Sequence, residues 1–125
     1  DSGALGLLGF GEAARISVEK VNISPQRPAI GSSVAISCEI ANRAPVVQRL
    51  LVDLRVHYVK ANGVQRPKVF KLKQVELVPR ETAPVRKTLS LDQLTTRTHY
   101  PGRHAVEVLI NGQAYPLGTF ELTDR

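Results

Sequence analysis

The chain has 125 residues, 42% hydrophobic and 22% charged, a balance that fits one globular domain able to bury roughly two-thirds of its unfolded surface. No apolar run approaches the ~20 residues that cross a bilayer, and the first residues lack a basic region leading into a long apolar one, so neither a membrane span nor a signal peptide is expected. The net charge of +6 admits an anionic partner, and the single cysteine, Cys38, cannot close an internal disulfide, which fits a reducing, cytoplasmic setting.

Residues 1–14, DSGALGLLGFGEAA, differ from everything after them. Glycines interrupt Leu5, Leu7, Leu8 and Phe10, so neither helix nor strand is specified, yet the apolar content exceeds that of a solvated linker. This segment is expected to be a linker or the end of an upstream domain, with an arm lying across its own domain as the alternative. The β-domain proper is expected over 15–125.

From Arg15 onward, short strands follow one another. Ile16 and Val18, then Val21 and Ile23, predict a first strand whose register breaks near Glu19-Lys20. A turn-rich connection from Ser24 to Gly31 leads to Val34, Ile36, Cys38 and Ile40, which alternate with polar or small residues in a second strand. Asn42 to Pro45 turns the chain into a long hairpin. Its first arm alternates Leu50, Val52, Leu54, Val56 and Tyr58 with Leu51, Asp53, Arg55, His57 and Val59. Its return arm points Phe70 and Leu72 inward and Val69, Lys71 and Lys73 outward. Val85, Lys87, Leu89 and Leu91 lead the next strand. Asp92 to Thr95 reads as one helical turn with Asp92 as N-cap. His104, Val106, Val108 and Ile110 alternate up to Asn111-Gly112, a type I′ hairpin signal, and Ala114 to Leu122 returns as a strand that Pro116 and Gly118 make an edge or bent one. About seven strands with frequent turns predict an all-β fold, an antiparallel β-sandwich of immunoglobulin-like architecture. The disulfide and tryptophan of antibody domains are missing, while Tyr100 is placed to be a corner tyrosine bonded to backbone.

Catalytic and metal chemistry finds no foothold in the pattern. One core cysteine and three dispersed histidines do not make a zinc site, Cys38 on a buried strand is no nucleophile, and GLLGFG matches no phosphate-binding fingerprint. No cofactor, metal or catalytic residue is therefore assigned. The basic residues gather instead. Between Asp53 and Glu76 the chain has no acid, yet Arg55, Lys60, Arg66, Lys68, Lys71 and Lys73 fall there. If the third strand runs beside the sixth, Lys60, Arg66 and Lys68 share one end with Arg97, His99 and Arg103, while Arg55, Lys71, Lys73 and Arg103 share an outer face. Cations along a path without a deep pocket suit phosphate contacts, so these eight Lys and Arg are the DNA-binding candidates, with His57 or His99 adding hydrogen bonds.

The runs VHYVKANGVQRPKVFKLK (56–73), TTRTHYPGRHAVEVLING (95–112) and PLGTFEL (116–122) carry a resemblance. They resemble the C-terminal domain of some bacterial HEAT-like repeat DNA alkylation repair proteins, relatives of the AlkD-type glycosylases, and ALGLLGFG (4–11) is similar to the segment ending their helical repeats. The resemblance implies a bacterial, cytoplasmic DNA-repair setting and an accessory domain on an upstream HEAT-like repeat domain of the same chain. Base chemistry in that family belongs to the repeats, so no catalytic residue carries over to a position here. The expected function is support of non-specific DNA binding through backbone contacts, without a membrane. The alternative is a structural or protein-interaction module packed on the helical repeats or on a partner.

Overall fold

Period-two alternation turns most of the chain into strand, and a computed structural model describes residues 7–8 and 14–124. The strands are β1 (Leu7–Leu8), β2 (Ile16–Ser24), β3 (Ser33–Asn42), β4 (Val47–Val59), β5 (Gln65–Leu77), β6 (Thr82–Ser90), β7 (Gly102–Ile110) and β8 (Gln113–Leu122). No helix occurs among the described residues. One sheet runs β5-β4-β7-β8, all antiparallel, with β1 pairing in parallel with Val47 and Gln48 on the side of β4 away from β5. The other runs β2-β3-β6, also antiparallel. Seven long strands in two sheets make the expected sandwich, and the third long strand lies antiparallel to the sixth, as the basic cluster requires.

Between the sheets the alternating sets meet. Leu50, Val52, Leu54 and Val56 of β4 are fully buried, as are Val34 and Ile40 of β3 and Val108 and Ile110 of β7. Each such side chain contributes about 1.5–3 kcal/mol by leaving water. The core forms two adjoining clusters, one around Leu54, Tyr58 and Phe120, the other around Cys38, Leu50 and Ile110, with Leu72 and Leu117 packing on both. The turn at Asn111-Gly112 has φ of 51° and 84°, the doubly positive pair a two-residue type I′ loop requires. The expected register break in β2 occurs between Glu19 and Asn22, with Lys20 at φ 54°.

At the end of the sandwich where β3 passes to β4, buried amides replace apolar packing. Asn42 donates to the carbonyls of Val46 (2.9 Å) and Leu77 (2.8 Å), and its Oδ1 accepts from the Ala44 N–H (2.8 Å) and from the Gln48 side chain. Gln48 in turn holds both backbone groups of Arg15, at 2.9 and 2.8 Å. One polar network thus ties the start of β2 to β3, β4 and β5.

Four expectations are corrected. A bulge in β5 sets Val52 opposite Lys73 and Asp53 opposite Lys71, so Leu72 is the extra residue. Lys73 therefore faces inward, where its ammonium reaches the Pro84 carbonyl, and not outward. The stretch after β6 is not helical: Leu94 and Arg97 exchange backbone hydrogen bonds at 3.0 and 3.2 Å across a tight turn. Asp92 caps nothing there; its carboxylate accepts from Ser90. Tyr100 is no corner tyrosine, because its hydroxyl has no backbone partner among the described residues and the ring lines a surface hollow. His99 is 3% exposed and lies beneath the surface, not on it as its loop position suggested. The expected linker or upstream-domain end over residues 1–14 lies, apart from 7–8 and Ala14, outside the described residues.

Candidate functional site

The end of the sandwich opposite the amide network collects the cations. β4 ends at Val59, a loop over residues 60–64 turns the chain, and β5 begins at Gln65. Local bonds fix this loop: Lys60 N–H donates to the Val64 carbonyl and Gly63 N–H to the Lys60 carbonyl, both at 2.8 Å. The start of β7 lies beside it, so that a Cβ on Gly102 would fall 3.3 Å from both Val59 methyls. The 91–101 loop is pinned by Gln93, whose amide accepts from the His99 N–H (2.6 Å) and donates to the His99 carbonyl (2.9 Å). These constraints bring Lys60, Arg66, Lys68 and Arg97 to one end of the molecule.

Pairing register decides which face each cation takes, since residues directly opposite in an antiparallel pair point the same way. Arg66 is opposite Tyr58 and Lys68 opposite Val56, both inward residues. Arg66 and Lys68 thus share the inner face of β5 but stay exposed, because β5 has no hydrogen-bonded neighbour beyond β4 and lies past the edge of β6. The outer face is electrically mixed. Lys71 stands opposite Asp53, Arg103 opposite Glu121, and Arg55 opposite Glu107. Glu107 accepts from Arg55 at 2.7 Å and pairs with His57 at 2.9 Å, which holds its carboxyl below the usual range. The expected outer stripe of Arg55, Lys71, Lys73 and Arg103 is therefore interrupted: Lys73 turns inward and each of the others faces an acid. Among the described residues, no carboxylate forms an ion pair with Lys60, Arg66, Lys68 or Arg97.

Between the free edges of β5 and β6 the surface opens into a cleft of about 380 Å³. Half-buried Phe70 forms one wall, Lys87 to Ser90 of β6 another, and Arg97 and His99 close the end. Lys68 Nζ, Lys87 Nζ and Arg97 Cζ lie 5.7, 5.3 and 5.7 Å from the Phe70 ring centroid, within cation–π range. Arg97 also stacks over Tyr58 at 5.0 Å and donates to its hydroxyl at 3.3 Å. Three cations are thus held by an aromatic ring, and among the described residues no acid pairs with them or lines the cleft. Behind them, burial lowers the pKa of His99, with the Arg97 charge adding to the effect, and burial lowers that of His104. His99 Nδ1 and His104 Nε2 are buried with no hydrogen-bond partner among the described residues. A second hollow of about 430 Å³ beside it is lined by Lys60, Asn62, Val64, Arg66 and Tyr100.

Comparison with known proteins places this arrangement in a family. Residues 17–124 match the family described as the C-terminal Ig-like domain of the uncharacterised protein YhaZ. The chain belongs to that family. It is 34% identical over 113 residues to YhaZ of Bacillus subtilis, covering 90% of this chain and 31% of YhaZ. The structure of the Pseudomonas fluorescens alkylpurine DNA glycosylase AlkC bound to DNA containing an abasic site analogue superposes with a TM-score of 0.83 at 36% identity. That match covers 95% of this chain and 32% of AlkC. A β-glucosidase from Listeria innocua matches at 17% identity and TM-score 0.66, over 88% of this chain and 16% of the enzyme, a likeness of fold alone. The chain spans about a third of the length of YhaZ and of AlkC.

Within this Ig-like domain, sequence reasoning missed Lys87. The signal was present: Lys87 occupies an inward position between Val85 and Leu89, where a lysine has no place in a closed core. It marks the point at which β6 stops facing another strand. Phe70 was read as core for the same reason, although the edge position of β5 leaves it half-exposed.

Proposed function

We propose that this Ig-like domain is a non-catalytic accessory module of a bacterial DNA alkylation repair protein and helps that protein hold duplex DNA by its phosphates. The observation that carries the reading is the cluster of Lys60, Arg66, Lys68 and Arg97 at one end of the sandwich, without carboxylate partners among the described residues. Phosphate contacts need cationic donors along an open surface, and this end offers them without a deep pocket. The likeness to a glycosylase that binds DNA supports the setting. In this reading an upstream HEAT-like repeat domain supplies the base chemistry, and the protein works in the cytoplasm, where Cys38 stays reduced. The interaction-module alternative draws less support from strand addition, because the open edges are blunted by Pro67 in β5, Pro84 in β6, Pro116 in β8 and the bulge in β2.

Fluorescence-anisotropy titration of duplex DNA against salt tests the proposal. Four phosphates neutralised give a slope of about −3.6 in log K against log salt. Lys60→Glu with Arg66→Glu is expected to flatten that slope by more than half, whereas Lys71→Glu, set across from Asp53, leaves it nearly unchanged. No binding at low salt, or equal effects from both sets, refutes the assignment.

A further inference from the structure

The cleft between β5 and β6 has features that duplex phosphate contacts do not use. Its cations converge on one aromatic ring and do not track along a surface. Its β6 wall, Lys87 to Ser90, is the free edge of a strand that pairs only with β3, so backbone donors and acceptors border the opening. Thr88, Ser90 and Thr96 also border the opening, and exposed Leu94 adds an apolar rim. His99, itself 3% exposed, lines the end of the cleft, and its buried Nδ1 has no hydrogen-bond partner among the described residues. A buried ring nitrogen left without a partner is uncommon and calls for a ligand or water to complete it.

These features select a ligand class. Three like charges with no counter-ion among the described residues repel one another, and a phosphoryl group placed among them relieves that repulsion while accepting several charge-assisted hydrogen bonds. An aromatic wall beside the anion site favours a planar ring on the same ligand, since base–aromatic stacking contributes about 1–3 kcal/mol per base. A cleft of 380 Å³ is at the small end of ligand pockets and too narrow for a duplex, yet adequate for one nucleotide. We infer that the cleft receives a single unpaired nucleotide, its phosphate among Lys68, Lys87 and Arg97 and its base against Phe70. The edge backbone of β6 then meets the rim of the base. The inference shares Lys68 and Arg97 with the duplex contact proposed above but rests on Phe70 and Lys87, which that contact does not need.

The test titrates the ¹⁵N-labelled chain with inorganic phosphate, thymidine monophosphate and a short oligothymidylate, followed by amide shifts. Thymidine monophosphate is expected to perturb Thr88 to Ser90, Leu94 and Phe70, with phosphate weaker by roughly tenfold or more for want of stacking. If the oligothymidylate binds tighter than the monophosphate, the natural source is a DNA strand; if it binds more weakly, the source is a free nucleotide, and either result supports the site. Lys87→Gln and Phe70→Leu should each weaken nucleotide binding about tenfold or more while the duplex salt slope is retained. Shifts confined to other faces, phosphate binding as tightly as the nucleotide, or a Lys87→Gln variant of normal spectrum and undiminished affinity overturns the inference. Loss of duplex binding with nucleotide binding intact overturns only the duplex proposal.

Discussion

Replacing Asn42 by alanine tests whether the amide network and the basic end act independently. Asn42 is 1% exposed and its side chain makes four hydrogen bonds, of which those to Leu77, Ala44 and Gln48 are buried and that to Val46 is within reach of water. Truncation leaves three polar groups dry and unsatisfied, each costing about 1–3 kcal/mol. Partial hydration of the vacated space and relaxation of Gln48 towards Arg15 bring the expected total to roughly 3–5 kcal/mol, a large share of the ~5–15 kcal/mol that holds a domain of this size. Urea denaturation followed by circular dichroism reads this as a lowered midpoint at constant slope. Asn42→Asp is expected to be no milder, because it keeps the acceptor for Ala44 and Gln48 but turns a carboxylate towards the Leu77 and Val46 carbonyls. Duplex affinity at a temperature where the variant stays folded should be unchanged, since the network occupies the far end of the sandwich. A loss below about 1 kcal/mol refutes the claim that these bonds are dry, and a changed salt slope in the folded variant refutes the separation of the two ends.

Three further outcomes follow from the geometry. Glu107→Gln removes the negative charge shared by Arg55 and His57 and should leave the duplex salt slope as it was; a slope steeper by about 0.9 would put Arg55 on a phosphate. His99 and His104 have pKa values lowered by burial, so the unfolded chain binds more protons than the folded one below the ordinary histidine value near 6.5. Stability is therefore flat above about pH 7 and falls as pH drops through that region, and His104→Phe, which keeps the ring against Phe120, should lessen the fall; thermal melts across pH check this. Cys38 is 3% exposed with its thiol pushed up to about 11, so a thiol reagent at pH 8 should label it only as fast as the fold opens, and native labelling at the rate of a free thiol would contradict the burial.

Much of the fold was readable in the residues because its core obeys strict alternation. Leu50 to Tyr58, Val34 to Ile40 and His104 to Ile110 each face inward as their spacing requires, and Asn111-Gly112 could only be a tight reversal. The failures have a common physical origin in places where alternation is interrupted. A single extra residue at Leu72 flips Lys73 to the other face, and nothing local in FKLKQV announces it. The turn at Leu94 to Arg97 competes with a helical turn of similar composition, and side-chain bonds from Gln93 to the His99 backbone, which span the turn, decide between them. The candidate site was half legible. Sequence placed Lys60, Arg66, Lys68 and Arg97 together through strand order alone, but the acids that offset the outer face come from β4, β7 and β8, on strands other than those of the cations they meet. Asp53, Glu107 and Glu121 meet their cations only through cross-strand register.

Four long strands face three in this sandwich, and the unmatched one is β5. A shelf with nothing above it is free to change: residues 66, 68 and 70 carry little of the packing that Leu54 or Val108 must preserve. Relatives built on the same frame can therefore acquire different surface chemistry there by single substitutions, each nearly neutral for folding. Divergence between family members should accordingly concentrate on this ledge and on the opposing Lys87, while the interior beneath it stays the same.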